Sequence, residues 1–214
     1  MKVQVLVDNK GSWIIPYAEQ LVGRLTALGH QVRFIINHAE IEQGDILVLL
    51  GCEKILKATD FNKHNLVIHE SYLPKGKGWS PLSWQILEGK DEIPVTLFEA
   101  VKNVDAGHIY YQEIIKLKGD ELIDEIRDLQ GRMSILLVLK FFENYPNNNS
   151  VEQSGESTFY ERRTPSDSEL NLDKTIREQF NLMRVVDNER YPAYFKYKGR
   201  KFIIKIYGQD KNFE

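Results

Sequence analysis

Two short stretches place a histidine and a carboxylate where they could share a proton. The first is His69-Glu70-Ser71-Tyr72-Leu73-Pro74-Lys75-Gly76-Lys77-Gly78-Trp79-Ser80-Pro81, whose histidine closes the apolar run Leu66-Val67-Ile68. That run reads as a buried strand and the lysine- and glycine-rich part as a loop. Pro81 then opens a helix over 82–88, because proline's fixed φ suits a first helical turn. A histidine at the carboxyl end of a strand faces the edge where open α/β sheets keep their ligands. The second stretch is Val104-Asp105-Ala106-Gly107-His108-Ile109, a tight turn before another β-rich run. Imidazole titrates near neutral pH, with an unperturbed pKa of ~6.5. A carboxylate against it fixes the ring tautomer and favours the imidazolium as it forms. Each residue also has a plainer reading, His69 as a structural hydrogen-bonder and Asp105 as the turn aspartate that Asp-Ala-Gly favours on its own.

The elements around these stretches follow from apolar periodicity. Residues 3–7 form a β-branched run closed by the turn-rich Asp8-Asn9-Lys10-Gly11-Ser12. A helix over 14–28 sets Leu21, Leu25 and Leu28 on one face, and Gly29 stops it. Strands over 32–36 and 46–50 complete a β-α-β start, which predicts a parallel sheet. Further strands cover 94–100 and 109–117, flanking the Asp105 turn. The strongest helix spans 121–144, with acidic residues in its first turns to complement the helix dipole. Its buried face is read as Leu122, Ile126, Leu129, Met133, Leu136, Leu137 and Phe141. Residues 150–157 are polar and without period, as in a linker. Beyond them lie a helix over 172–186 and a hairpin of 193–197 and 201–207 turning at Lys198-Gly199-Arg200. The expected architecture is α/β: a Rossmann-like, mostly parallel sheet with flanking helices over 1–150, plus a small helix and β-hairpin module over 158–214.

Composition narrows the function classes. The 214 residues suffice for one α/β domain and a small appendage. Acidic residues exceed basic ones by 31 to 28, and no basic stripe suits a phosphate backbone, so nucleic acid is not an expected partner. Cys52 stands alone, which excludes an internal disulfide or a cysteine-rich zinc site; no metal is expected. No apolar stretch approaches a membrane span, and the first residues run straight into a strand, so a cytoplasmic protein is expected. Gly-x-Gly-x-x-Gly is missing after the first strand and Gly-x-x-x-x-Gly-Lys-Ser/Thr is missing throughout, which disfavours a nicotinamide enzyme or a P-loop kinase.

Together, His-x-Ser-x-Leu-Pro-x-x-x-Gly-x-x-Pro and Val-Asp-Ala-Gly-x-Ile resemble the N10-formyltetrahydrofolate-dependent formyltransferases. The whole chain looks closest to their sugar N-formyltransferase branch, including the enzymes that serve pseudaminic-acid-type sugars. Arg162-Arg163-Thr164-Pro165 and Arg190-Tyr191-Pro192-Ala193-Tyr194-Phe195 also resemble the C-terminal appendage of that branch. The resemblance implies an enzyme that moves a formyl group from N10-formyltetrahydrofolate to the amine of a nucleotide-linked amino-deoxy sugar, with UDP as the expected carrier. A homodimer is compatible with it. By the same resemblance His69 is the base and Asp105 its orienter. The folate cleft then comprises Gly51, Cys52, Lys54 and Ile55 after the third strand, with Val101, Val104 and Gly107 around the second turn. Asn9, Ser12, Trp13, Lys77, Arg184 and Tyr191 are the expected acceptor contacts, Lys77 for an anionic group. Arginines and aromatics in the appendage suit a diphosphate and a nucleobase.

One departure from the family pattern concerns the oxyanion. The family carries an asparagine two residues before the histidine, whose amide donates to the tetrahedral intermediate; here that position is Val67. Losing one such donor costs on the order of 10²–10³ in rate. Asn103, Asn9, Ser71 or a backbone N–H could replace it. Two other functions are compatible with the motifs: a formyltetrahydrofolate hydrolase, in which water replaces the amine, and a non-catalytic protein that binds folate or a nucleotide sugar.

Overall fold

A computed structural model describes residues 1–57 and 60–209. In chain order its elements are β1 (Lys2–Leu6), α1 (Ile15–Ala27), β2 (Gln31–Ile35), β3 (Gly44–Leu49) and β4 (Asn62–His69). Next come β5 (Lys77–Gly78), α2 (Pro81–Leu87), β6 (Glu92–Glu99), β7 (Ile109–Lys116) and α3 (Ile123–Asn144). The chain then adds β8 (Phe159–Tyr160), α4 (Phe180–Val185), β9 (Ala193–Tyr197) and β10 (Arg200–Ile204). Residues 210–214 of the expected module lie outside the described residues.

The main sheet has the order β2-β1-β3-β4-β6-β7. Its first four strands are parallel, while β6 runs antiparallel to both β4 and β7. Alternation along the strands splits the core. Val5, Val48 and Leu66 face α1 and α3, whereas Leu6, Leu47, Leu49 and the half-buried Val67 pack on the opposite face. The even-numbered row of β4 therefore looks toward the helices, and the odd-numbered row, which ends in His69, looks toward the loops.

Where α1 crosses α3, the contact is made by small residues. A Cβ on Gly131 would collide with the Tyr17 ring, and the Tyr17 hydroxyl donates to Asp128 Oδ1 at 2.9 Å. The buried face of α3 is accordingly Ile126, Gly131, Ser134, Ile135, Leu137, Val138, Phe141 and Phe142. Leu136, expected inside, is exposed, and so is Leu28, which caps α1 after its last buried residue, Leu25. His64 of β4 meets Glu99 Oε2 at 3.2 Å and the Tyr110 hydroxyl at 3.1 Å.

The expected helix over 172–186 shortens to α4, preceded by a 3-10 turn at Arg177–Gln179. Side chains take the backbone groups that a longer helix would use: Gln179 Oε1 accepts from Asn171 N–H at 2.6 Å, and Glu178 Oε2 from Thr175 N–H at 2.7 Å. β9 and β10 form the expected hairpin, whose turn has positive φ at both Lys198 and Gly199, as a tight two-residue turn requires.

Candidate active site

His69 ends β4 with its side chain buried at the carboxyl edge of the sheet. Its Nε2 lies 2.8 Å from the Gly76 carbonyl oxygen. A carbonyl can only accept, so Nε2 carries the hydrogen and the neutral ring keeps its lone pair on Nδ1. Asp105 Oδ2 stands 3.8 Å from the same Nε2 and accepts the Gly78 N–H at 2.9 Å. The structure thus brings the two sequence motifs together: the loop after His69 supplies the carbonyl and the N–H, and the second turn supplies the carboxylate.

Backbone conformation explains why these residue types stand here. Asp105 has φ +49°, a left-handed conformation that aspartate tolerates. At Gly107 any Cβ would collide with the Glu99 carbonyl oxygen, and at Gly78 it would meet the Tyr160 carbonyl oxygen. The turn is braced from a distance. Gln153 Nε2 donates to the Asp105 and Gly107 carbonyl oxygens at 2.9 and 2.8 Å, and Val151 pairs with Ile109. Thr158 holds the other motif, its hydroxyl accepting Gly76 N–H at 2.8 Å and its carbonyl accepting Lys77 N–H at 2.9 Å.

Val67 lies two residues before His69 on the same strand face, packed with Leu73, Phe98 and Ile109. Its surroundings are apolar, unlike those an amide would need. Two residues beyond His69, Ser71 is buried; its hydroxyl has no hydrogen-bond partner among the described residues. The Asn9 amide is committed to Glu53 Oε1 at 2.7 Å, and Asn103 is exposed.

Ile55, Val101 and Val104, expected in the folate cleft, are all exposed. Gly51, with φ +57°, brings the loop after β3 against Ser12 and Ile14. Lys54 N–H donates to Asp8 Oδ2 at 2.9 Å, so its backbone is fixed while its side chain stays at the surface. Cys52 departs from the expected cleft set. Its thiol points inward, donating to the Leu6 carbonyl at 3.4 Å, and burial pushes its pKa up to about 12.

A second set is charged. Arg162 stacks over Trp79 at 4.6 Å and pairs with Glu53 Oε2 at 3.1 Å. Arg127 covers Trp13 at 5.7 Å and pairs with Asp187 Oδ2 at 2.8 Å. Arg190 approaches Gly11, next to Asn9 and Ser12. Tyr191 is partly exposed nearby in sequence, its N–H donating to the Asp187 carbonyl at 3.0 Å. Lys77 is mostly buried within the β5–β8 pair, without an ion pair among the described residues. Arg184 does not join this set. It is 1 % exposed, donating to the Glu121 carbonyl at 3.1 Å, Glu121 Oε2 at 3.2 Å and Asn181 Oδ1 at 3.1 Å. A guanidinium buried and committed in this way ties the C-terminal module to Glu121, just before α3.

The sequence profile of the formyl transferase family matches residues 16–133, more than half of the chain and inclusive of both motifs. The chain belongs to the formyl transferase family of enzymes. Solved structures share its fold. Methionyl-tRNA formyltransferase from Clostridium thermocellum superposes with a TM-score of 0.83 at 19% identity, over 99% of this chain and 95% of that one. A sugar N-formyltransferase from a Shewanella species gives 0.73 at 17% identity, over 98% of each chain. HypX from Aquifex aeolicus, in complex with tetrahydrofolic acid, gives 0.75 at 15% identity, over 96% of this chain and 37% of its own.

In this formyl transferase the residues that brace the site escaped the sequence reading. Gln153 lies in the polar segment taken as a linker and Thr158 at the start of the module beyond it, and their bonds go to backbone groups that no side-chain pattern reveals. Arg162 and Arg190 did carry a signal, as arginines among aromatics.

Proposed function

We propose that this chain transfers a formyl group from N10-formyltetrahydrofolate to the amine of a nucleotide-linked amino-deoxy sugar, with UDP as the carrier, in the cytoplasm. The observation that carries the reading is the His69–Asp105 pair, 3.8 Å apart, set between an apolar cleft and a charged rim. The exposed side chains of Ile55, Val101 and Val104 fit a flat heteroaromatic donor, which would gain by covering them. When bound, the folate supplies the activated formyl carbon. Similarity to the Shewanella sugar N-formyltransferase over almost all of both chains supports a sugar acceptor. So does the charged rim, where Arg162, Arg127 and Arg190 of two regions converge beside Trp79 and Trp13.

His69 Nδ1 takes a proton from the attacking nitrogen once it bonds to the formyl carbon, and returns it to the nitrogen that leaves. Asp105, on the Nε2 side, stabilises the imidazolium between these transfers and holds the ring's orientation. Ser71, buried and unpartnered two residues on, supplies the hydroxyl donor to the oxyanion in place of the family asparagine. The test is formylation of a panel of UDP-linked amino-deoxy sugars, read by mass spectrometry alongside folate turnover without acceptor. Amine-dependent turnover with a formylated product is expected. Turnover of equal rate without any amine would make the chain a hydrolase instead.

A further inference from the structure

Thr96 stands at the centre of a polar row that crosses three strands. It lies directly opposite His69 in the β4–β6 pairing and directly opposite Gln112 in the β6–β7 pairing. Opposed residues of antiparallel strands share a face of the sheet, so all three side chains belong to the face that carries His69. Hydrogen bonds run along the row in one direction. Gln112 Nε2 donates to Thr96 Oγ1 at 3.0 Å, and the fully buried Thr96 hydroxyl donates to the Ser71 carbonyl oxygen at 2.7 Å. Ser71 N–H in turn donates to the His69 carbonyl oxygen at 2.9 Å. Both backbone polar groups of Ser71 are thus committed, while its buried hydroxyl has no partner among the described residues. A Cβ on Gly76 would come within 3.0 Å of the Ser71 Cβ, and it is the Gly76 carbonyl that takes His69 Nε2. The Ser71 side chain therefore packs against the segment that orients the His69 ring. On the same face, the pair before this row is Val67 with Phe98, both apolar, so packing alone does not ask for a polar row here.

We propose that Thr96, held by Gln112, is a positioning residue for the oxyanion donor: it fixes the Ser71 backbone so that the Ser71 hydroxyl stays free to donate to the formyl oxygen. This role rests on the reading of the site as a formyltransferase with Ser71 as that donor. Preorganisation is what Thr96 contributes. A donor lowers the barrier when it is already in place as charge develops on the oxygen, and much of that gain is lost if it must first reorient. A serine hydroxyl in a loose loop turns instead to a nearby backbone group. Here Thr96 holds the Ser71 carbonyl and His69 holds its N–H, so the backbone that carries the hydroxyl cannot swing. Each donor in the row is polarised by the bond before it, which stiffens the whole chain from β7 to Ser71. Val67 gives the arrangement its purpose: with no amide at that position, a small hydroxyl does the work and needs a fixed base.

The experiment measures release of tetrahydrofolate from N10-formyltetrahydrofolate, with and without a UDP-linked 4-amino-4-deoxyhexose. The variants are Ser71→Ala, Thr96→Val, Thr96→Ser, and Ser71→Ala combined with Thr96→Val. Thr96→Val keeps the shape and removes the hydroxyl, whereas Thr96→Ser keeps the hydroxyl. Ser71→Ala and Thr96→Val should each lower kcat about tenfold or more and leave both KM values within about twofold, because the hydroxyl bonds the oxyanion only in the transition state. Thr96→Ser should keep kcat within about threefold of the wild type. In the Thr96→Val background, Ser71→Ala should cost less than about threefold, because the donor it removes is already out of place. Equal losses from Ser71→Ala in both backgrounds overturn the inference, as does an unchanged kcat in either single variant or a loss in Thr96→Ser as large as in Thr96→Val. Should Thr96→Val not fold, Gln112→Met reads the same coupling with Thr96 in place, and additive losses again overturn it. If the amino sugar is formylated and the losses are additive, this inference fails and the proposed function stands. If the formyl group goes only to water and the losses are coupled, the sugar reading fails and the role of Thr96 stands.

Discussion

One wall expected of the site, Ile55, Val101 and Val104, is apolar and exposed; in the other set, Arg162 pairs with Glu53 and Arg127 with Asp187. The first wall gains by excluding water from a flat apolar ligand, and it does so without any strict direction. The second gains little net energy from its surface pairs, but it fixes geometry by linking the loop after β1, the loop after β3 and the C-terminal module. Under the proposed function the donor would therefore meet a permissive wall and the acceptor a directional one.

Removing the residue shared by both walls has the largest effect. His69→Ala should lower kcat by about 10²–10⁴ while leaving substrate affinities near wild type. Asp105→Asn should follow with a smaller loss in kcat and little in KM. Retention of more than about a tenth of wild-type kcat in His69→Ala would place the base elsewhere. Next is Arg184→Ala, which strips Glu121 of its buried partner and should cost about 3–5 kcal/mol in urea unfolding. A raised acceptor KM with unchanged stability would return Arg184 to the directional wall. The double change Ile55→Ser with Val104→Ser should then raise KM for the folate donor about tenfold, on the basis of ~0.8 kcal/mol for each buried CH₂ lost, and leave the acceptor KM alone. If both KM values rise together, the two walls are not independent. The smallest effect is expected from Val67→Asn, which adds an amide to the apolar Leu73, Phe98 and Ile109 cluster. It should leave kcat within a few-fold and lower Tm slightly. A large gain in kcat would mean that no other group serves the oxyanion, and would remove Ser71 from that role.

The strands up to β4 and the helix α1 were legible because apolar runs there are bounded by turn residues such as Gly29 and Gly44-Asp45. The direction of β6 was not, since alternation along a strand is the same whichever way it runs. The buried face of α3 was misread at Leu136 because the crossing with α1 is made by Gly131 and Ser134, which a count of apolar residues passes over. At the site, the two motifs foretold that His69 and Asp105 would approach each other, as they do at 3.8 Å. Arg184 was misread by residue type, although the flanking Leu182, Val185 and Val186 already marked an inward face. Gln153 and Thr158 left no pattern, because a backbone carbonyl or N–H as partner is available at every position.

Gln153, whose amide closes the Asp105 turn, lies 48 residues further along the chain than the aspartate it braces. A ribosome adding ~5–20 residues per second needs roughly 2–10 s to cover that interval. For those seconds a nascent chain carries both His69 and Asp105, and its sheet can already have begun to pair, yet the turn lacks the two bonds that set its shape. Gln153 itself precedes the module over 158–214, so the turn can take its final shape before that module has been made.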